Sequence, residues 1–297
     1  MKFTILQFFL ILVLFSYTSL AQEDYKSSTL AAKWELDSTS LSKEVEFKLS
    51  PYKPIYVLFA NYTSDVNKSP TASNASEVSD LDIPYNAIEM KFQLSFKTKV
   101  MHNVLGKKLG GDVWFAYTQS SRWQVFNNSL SRPFRETNYQ PEAFILFATP
   151  YRIGKFHSVF TGFGINHESN GRADPLSRSW NRVIFQFGWE VEQIQVILKP
   201  WIRLPVAEAK DDNPDVGDYM GRAELQLNYT INKHDFEVAT RHSLRGGDRS
   251  HASLRIDYSY PLIKNLKLHA QFFTGFGESM IDYNHNQTVF GLGLSLY

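Results

Sequence analysis

The sequence predicts an all-β protein, built as a twelve-stranded antiparallel transmembrane β-barrel. Three observations lead to this prediction. Apolar residues alternate with polar or small ones in about twelve segments of roughly ten residues, a length that suits tilted membrane strands. The chain begins with an apolar run of the kind found in secretory signals. It ends on GLGLSLY, an amphipathic stretch that closes on an aromatic residue.

The N-terminal stretch MKFTILQFFLILVLFSYTSLAQ has one lysine, a long apolar run and a small-x-small cleavage site at 19–21. These features predict a cleaved signal peptide at residues 1–21. The alternative is a retained anchor helix, because the run approaches the length that spans a bilayer. Residues 22–50 are mixed polar sequence, and we expect them to form a periplasmic arm that precedes a barrel domain at 51–297.

From residue 55 onward the hydrophobic period is two. The alternating segments lie at 55–63, 88–100, 110–119, 142–149, 158–167, 181–191, 194–203, 219–231, 235–244, 251–260, 266–275 and 288–297. The clearest is RAELQLNYTI at 222–231, in which every second residue is apolar or aromatic. This pattern indicates strands with one apolar and one polar face.

Two architectures accommodate such strands. A soluble β-sandwich would pack the apolar faces together, whereas a membrane barrel turns them toward lipid and keeps polar residues inside. Soluble strands usually have about five or six residues and tilted membrane strands about nine to eleven. The longer segments, their even number, the secretory signal and the aromatic residues near strand ends favour the barrel.

The amino-acid composition limits the kinds of binding and catalytic site that the chain can form. The chain has 31 Lys and Arg against 30 Asp and Glu, so no strongly basic surface is expected to bind nucleic acid. It has no cysteine, which excludes disulfides, thiolate nucleophiles, zinc-thiolate sites and a lipoprotein anchor. Any nucleophile must therefore be an oxygen.

The stretch HESNGRADPLSRSWNR at 167–182 stands out among these strands. His167 and Ser169 fall on the apolar, outward-facing side of one strand, and Asn181 falls on the same side of the next. Three polar side chains on a lipid-facing surface are costly unless they pair with one another.

Their chemistry suggests how they pair. A serine becomes nucleophilic when a histidine within hydrogen-bond reach takes its proton, and a third group must hold the imidazole in the useful tautomer. An asparagine carbonyl can accept the ring N–H and take that third place. The simpler alternative is a polar hairpin loop, because Asn, Ser and Gly are ordinary turn residues.

The stretch NHESNGRADPLSRSWNR resembles the signature of the outer-membrane phospholipase A family, calcium-dependent twelve-stranded barrel enzymes of Gram-negative bacteria. Further matching blocks follow in the same order along the chain. They are YTQSSRWQ (117–124), SRPFRETNYQPE (131–142), KPW (199–201), DDNPDVGDYMG (211–221) and GFGESMIDYNHNQT (275–288). The resemblance covers most of the chain after the signal peptide and implies an outer-membrane location.

The resemblance also implies roles for individual residues. It makes Ser169 the nucleophile, His167 the base and Asn181 the residue that orients the imidazole. It implies an oxyanion hole formed by the Gly171 N–H and calcium-bound water. Calcium would be bound by three groups at the interface of an active homodimer: the Ser177 hydroxyl, the Arg172 carbonyl and Ser131 of the partner subunit.

Three further positions follow from the same resemblance. Gln119 matches a glutamine buried in the family's dimer interface. Asp174 and Asp212 match a secondary calcium position, although an insertion before DDNP weakens this correspondence. Arg132 departs from the pattern, because a small polar residue is expected beside Ser131. A cation there would weaken calcium binding or point into solvent.

These observations predict an enzyme that hydrolyses the acyl esters of outer-membrane phospholipids. The resemblance implies that it acts at either glycerol position, and on lysophospholipids too. One alternative is a passive channel or structural barrel. In that case the inward-facing charges would line a pore or fill a plugged lumen; they are Arg222, Glu224, Arg241, Arg255 and Asp257. A second alternative, a soluble secreted esterase, predicts extraction without detergent.

Overall fold

The computed structural model describes residues 28–36, 47–72, 82–130, 134–207 and 211–296. In these ranges twelve long strands form one closed antiparallel barrel. The strands are β1 (Ile55–Thr63), β2 (Ile88–Met101), β3 (Asp112–Trp123), β4 (Phe134–Ile153), β5 (Phe156–Ser169), β6 (Ser179–Val191), β7 (Ile194–Arg203), β8 (Ala223–Ile231), β9 (His234–His242), β10 (Ala252–Ile263), β11 (Leu266–Phe276) and β12 (Asn286–Leu296). The predicted signal peptide at 1–21 lies outside the described residues.

Each strand pairs with its neighbours in sequence, and β12 closes the barrel by pairing with β1 from Val289↔Thr63 to Leu296↔Ile55. A two-residue segment, Ser50–Pro51, adds a short pairing to β2. The predicted twelve-stranded fold is confirmed. The largest difference is β4, which has 20 residues where the pattern predicts 142–149. Its first part, FRETNYQP at 134–141, is polar at most positions and lacks the period-two signal, yet it pairs along β3.

The two barrel faces differ as the sequence predicts. On β12, for example, Phe290 and Leu292 point outward and are 53% and 61% exposed, while Gln287 and Ser295 are buried inside. Burying polar groups is costly unless they are paired, and many inward charges are paired here. Arg255 contacts both Glu237 and Asp257, for instance.

Inward-facing residues leave a cavity of about 150 Å³, lined in part by Glu224, Arg241 and Arg255. Arg222 differs from the prediction that it lines the interior. Strand β8 begins one residue later, at Ala223, so Arg222 instead binds the carbonyls of Gly217 and Ser243 in the connecting loops.

The two ends of the barrel have different connections. Two-residue turns join β4 to β5, β6 to β7, β8 to β9 and β10 to β11. At the opposite end the connections are longer, and the 170–178 loop between β5 and β6 lies there. In outer-membrane barrels the short turns face the periplasm and the longer loops face outward. Among the described residues, no helix is both long and apolar enough to cross a membrane.

Short helices occur outside the strands: α1 (Thr29–Lys33), α2 (Gly106–Leu109) and α3 (Val216–Tyr219), with a 3-10 turn at Gly247–Arg249. Helix α1 belongs to the predicted N-terminal arm and is packed inside the barrel. Ser28 caps it by accepting a hydrogen bond from the Ala31 N–H at 2.9 Å. Its apolar side chains join one buried cluster with residues of the barrel interior: Leu30, Ala31, Trp34, Leu36, Tyr52, Trp114, Ala116, Phe144, Leu146, Val159, Phe160 and Ile197.

Polar contacts also hold this segment, which we call the N-terminal plug (residues 28–36). The Leu30 N–H donates to Glu190 Oε1 at 2.7 Å, near the short-turn end of β6. Lys97 Nζ donates to the Lys33 carbonyl at 2.7 Å and lies 4.7 Å from the Trp34 ring centre. Lys99 Nζ donates to the Glu35 carbonyl at 3.1 Å. Residues 28–36 of the predicted periplasmic arm therefore fill the short-turn end of the lumen.

Candidate active site

Strands β5 and β6 place His167 directly opposite Asn181 in the antiparallel register. Their side chains meet on the outer face of the barrel, where Asn181 is exposed and His167 half-buried. The distance from His167 Nδ1 to Asn181 Oδ1 is 2.8 Å. An asparagine carbonyl only accepts, so this contact places the ring proton on Nδ1 and leaves Nε2 able to take a proton.

Ser169 lies two residues after His167, on the same face of β5 and half-buried. Its backbone partners are Ser179 on β6 and Tyr139 on β4. The described contacts join His167 to Asn181 but include no hydrogen bond between Ser169 and His167. Bonds between a nucleophile and its base are often long or poorly aligned before substrate binds. The arrangement therefore has the predicted base, His167, and its predicted orienting group, Asn181, in contact, with Ser169 beside them.

The surface around these three residues is apolar. On β5, Phe163 and Ile165 point outward ahead of His167 and are well exposed, and Ile202 is exposed on β7. The site thus lies where the outer apolar surface meets the long loops. An acyl chain lying against the barrel would approach Ser169 from this surface.

Gly171 begins the loop after Ser169 with a left-handed backbone, φ 62°. An added β-carbon would lie 3.2 Å from the Tyr139 ring, so both backbone strain and space favour glycine here. Gly171 is exposed beside Ser169, at the place where the sequence predicts an oxyanion-binding N–H.

The residues predicted to bind calcium are partly brought together. Ser177 Oγ donates to Asp212 Oδ2 at 2.8 Å. Arg172 lies in the same loop as Ser177, and its guanidinium donates to the carbonyls of Phe134 and Arg135 at 3.1 and 2.5 Å. Asp174 is exposed. Ser131 and Arg132 lie outside the described residues.

The donor chemistry of this region fits calcium. A hydroxyl, a carboxylate and a main-chain carbonyl are hard oxygen ligands, which calcium accepts in flexible geometry. In the described part of the chain, no group of three or more His, Cys, Asp or Glu side chains is arranged to hold a metal. A hydroxyl and a carbonyl supply ligands without such a cluster.

Gln119 lies half-buried on β3, near the outward-facing Phe115 and Leu94. Its amide oxygen accepts from Tyr117 Oη at 3.1 Å, and its amide nitrogen is 3.4 Å from Ser121 Oγ. A glutamine on an apolar outer face is costly unless its amide is paired. Its position suits a contact with a second subunit.

Sequence reasoning missed the residues that support the site from the barrel interior. Arg182 Nη2 donates to Glu168 Oε2 at 2.7 Å, and its guanidinium lies 3.9 Å from the Trp180 ring centre. Trp180 Nε1 also donates to Glu168 at 3.0 Å. These residues alternate with His167, Ser169 and Asn181, so the period-two pattern places them inward, but it does not indicate that they bind one another.

The 170–178 loop ends at a second residue that the sequence does not single out. Arg178 is buried, and its Nη1 donates to the carbonyls of Pro175 and Ser177. Its guanidinium lies 5.8 Å from the Tyr283 ring centre. Burial lowers the pKa of this guanidinium.

Comparison with known proteins is consistent with this geometry. The phospholipase A1 family model matches residues 30–296. Phospholipase A1 of Escherichia coli K12 is 39% identical over 254 residues, which cover 84% of this chain and 82% of the relative. A putative phospholipase A1 of Neisseria meningitidis is 33% identical over 272 residues, covering 89% of this chain and 69% of the relative.

Solved structures give the same result. Outer membrane phospholipase A from E. coli superposes with a TM-score of 0.74 and 36% identity, covering 84% of this chain and 99% of that one. The Salmonella typhi outer membrane phospholipase, solved as a dimer with bound calcium, gives a TM-score of 0.75 and 35% identity, with 87% and 96% coverage. The chain therefore belongs to the phospholipase A1 family and is a barrel phospholipase of the Gram-negative outer membrane.

Proposed function

We propose that this protein is a calcium-dependent phospholipase with a Ser169–His167–Asn181 triad that is active as a homodimer. It would release fatty acids from either glycerol position of phospholipids and from lysophospholipids. The observation that carries the proposal is the 2.8 Å contact between His167 Nδ1 and Asn181 Oδ1 on the lipid-facing surface. Polar and ionisable residues that face a membrane are rare, and those that occur usually mark a functional site.

The proposed reaction has two steps. Ser169 Oγ attacks the ester carbonyl carbon while its proton passes to His167 Nε2, and the bond to the glycerol oxygen breaks as that proton moves to the leaving alcohol. Water, deprotonated by His167, then attacks the acyl-serine; the bond to Ser169 Oγ breaks as that proton returns to the serine, and the fatty acid is released. Asn181 holds the imidazole through Nδ1, although a neutral amide stabilises the imidazolium less than a carboxylate would.

The negative charge that develops on the ester carbonyl oxygen must be stabilised by hydrogen-bond donors. The Gly171 N–H lies in the right part of the loop, and main-chain N–H groups are effective oxyanion donors. Arg172 and Ser177 would hold calcium together with Ser131 of the partner subunit. Bound calcium supplies electrostatic stabilisation to the developing oxyanion.

Support for the dimer comes from two sources. The Salmonella typhi relative was solved as a dimer with bound calcium. In this chain, Gln119 lies on the apolar outer face and is available to a second subunit. Activity that depends on two subunits would keep an enzyme that sits in its own substrate silent while it is monomeric.

The alternatives have less support. The barrel with its exposed apolar outer belt contradicts a soluble esterase. Paired interior charges and the N-terminal plug favour a filled lumen over an open channel.

The proposal is tested by fatty-acid release from mixed phospholipid micelles by refolded protein, with calcium or with a chelator. Ser169→Ala is expected to abolish release, whereas Ser179→Ala, which changes the serine directly opposite Ser169, retains it. Activity that survives Ser169→Ala would refute the proposed triad. Activity that survives chelation would refute the calcium requirement. Full activity in a strictly monomeric, crosslink-resistant preparation would refute the dimer requirement.

A further inference from the structure

Asn170 directly follows Ser169 and is only 4% exposed, although it begins a surface loop. Its main chain pairs with the far end of the loop, because the Asn170 N–H donates to the Arg178 carbonyl at 3.0 Å. Its side chain turns toward the loop's own backbone. A buried amide in this position must find partners for its oxygen and its nitrogen.

Those partners lie on both sides of the loop. Asn170 Oδ1 accepts from the Arg178 N–H at 3.0 Å and from the Arg172 N–H at 3.3 Å. Asn170 Nδ2 donates to the Leu176 carbonyl at 2.8 Å and lies 3.4 Å from Glu136 Oε2 on β4. One side chain thus bonds the backbone at three points of a nine-residue segment.

These points bracket the proposed calcium ligands. Arg172, whose carbonyl would bind calcium, is held through its own N–H. Ser177, whose hydroxyl would bind calcium, lies between Leu176 and Arg178, and both of these neighbours bond to Asn170. Gly171 lies between Asn170 and Arg172 in the chain, and both of these residues take part in these bonds. The spacing of the two ligands and the direction of the Gly171 N–H therefore depend on the same amide.

We propose that Asn170 is a positioning residue that builds the calcium and oxyanion site within each subunit. It fixes the Arg172 carbonyl relative to the Ser177 hydroxyl before calcium binds. Without it, the loop loses the three hydrogen bonds that tie Arg172 to the segment around Ser177, and the spacing of the two ligands is less firmly fixed. This inference rests on the proposed function for the identity of the ligands, but it is tested by a separate measurement.

The key variant is Asn170→Ala, with Asn166→Ala as its matched control. Asn166 lies on β5, four residues before Asn170, and is also buried, but its side chain accepts hydrogen bonds from Arg182 in the lumen. Calcium binding to the detergent-solubilised dimer is measured by titration calorimetry. The calcium concentration for half-maximal activity and the pH profile of activity are measured in parallel.

Residues that orient metal ligands typically contribute about 10- to 100-fold to metal affinity. We expect Asn170→Ala to raise both the calcium dissociation constant and the half-saturating calcium concentration by about tenfold or more. The pH profile should not move, because the His167–Asn181 contact is untouched. Asn166→Ala should lower thermal stability without changing calcium affinity.

If Asn170→Ala does not fold, Asn170→Ser serves in its place, since a serine hydroxyl can still accept from the residue two positions later. Its calcium affinity is expected to lie between those of Asn170→Ala and the wild type. Unchanged calcium affinity in a folded Asn170 variant overturns the inference, and so does a wild type that binds no calcium. If Ser169→Ala stays active while Asn170→Ala loses calcium, the proposed triad fails and the positioning role stands.

Discussion

Trp34 anchors the N-terminal plug, and its removal is the most informative single test of how the lumen is filled. The side chain is 2% exposed. Its ring centre lies 5.5 Å from those of Trp114 and Phe160 and 5.8 Å from that of Phe144. Lys97 Nζ completes the contact from the polar side. Trp34→Ala leaves these partners facing a cavity.

Replacing a buried tryptophan by alanine costs about 3–5 kcal/mol. The strands keep all their hydrogen bonds, so we expect the loss to appear as local opening of the plug and not as unfolding of the barrel. Each 1.4 kcal/mol is a factor of ten in an equilibrium constant. A loss of about 3 kcal/mol therefore raises the open population by roughly two orders of magnitude.

The assay is cleavage by trypsin after Lys33 in protein refolded into lipid vesicles, followed by mass spectrometry. When opening and closing are fast, the cleavage rate follows the open population. We expect cleavage of Trp34→Ala to be roughly 100-fold faster than that of the wild type. Trp189→Ala is the control, because Trp189 stacks on Phe187 and packs against Phe156 near the same end of the barrel without joining the plug cluster. Equal cleavage of wild type and Trp34→Ala would refute the reasoning.

Three further predictions concern the site and its loops. Asn181→Ala should lower kcat by about one to two orders of magnitude. This loss is smaller than the roughly 10⁴-fold loss seen when an ionised triad partner is changed. Steady-state kinetics that show no change would contradict the proposed role of Asn181. Ser177→Ala should raise the half-saturating calcium concentration about tenfold or more. A titration of activity with calcium measures this value. An unchanged half-saturating concentration would show that Ser177 is not a calcium ligand. Burial opposes ionisation of Asp282, but the ion pair with Arg135 and the hydrogen bond from Ser279 outweigh it and lower the pKa of this carboxyl. The stabilisation of the fold by ionised Asp282 is therefore present above the unfolded-state pKa of about 4 and is lost as pH falls through the lower folded-state pKa. The thermal unfolding temperature of Asp282→Asn should therefore depend less on pH in the acid range than that of the wild type.

The barrel is predictable because its strands carry a physical signal. Lipid outside and paired charges inside impose period two on each strand, and the sequence shows that period wherever both conditions hold. The start of β4 was missed because residues 134–141 extend into the polar end of the barrel, where neither face must be apolar. The pattern predicts an inward Arg222 because the alternation continues one residue beyond the strand, which begins at Ala223.

The site was predictable in part for the same reason. Alternation places His167, Ser169 and Asn181 on one face, and the register of β5 and β6 brings two of them into contact. The role of Asn170 leaves no such signal, because an asparagine before a glycine looks like any turn. The sequence pattern does not reveal the plug either, since its five-residue helix is too short to show helical periodicity.

The position of the plug constrains the order in which the molecule can be assembled. Residues 28–36 precede β1, and the barrel is closed by the pairing of β1 with β12, the last of the described strands. The plug must therefore be enclosed by a wall whose final seam is made by β12. A chain that lacked β12 would leave two strand edges unpaired around the plug, so the barrel cannot close until β12 has been made.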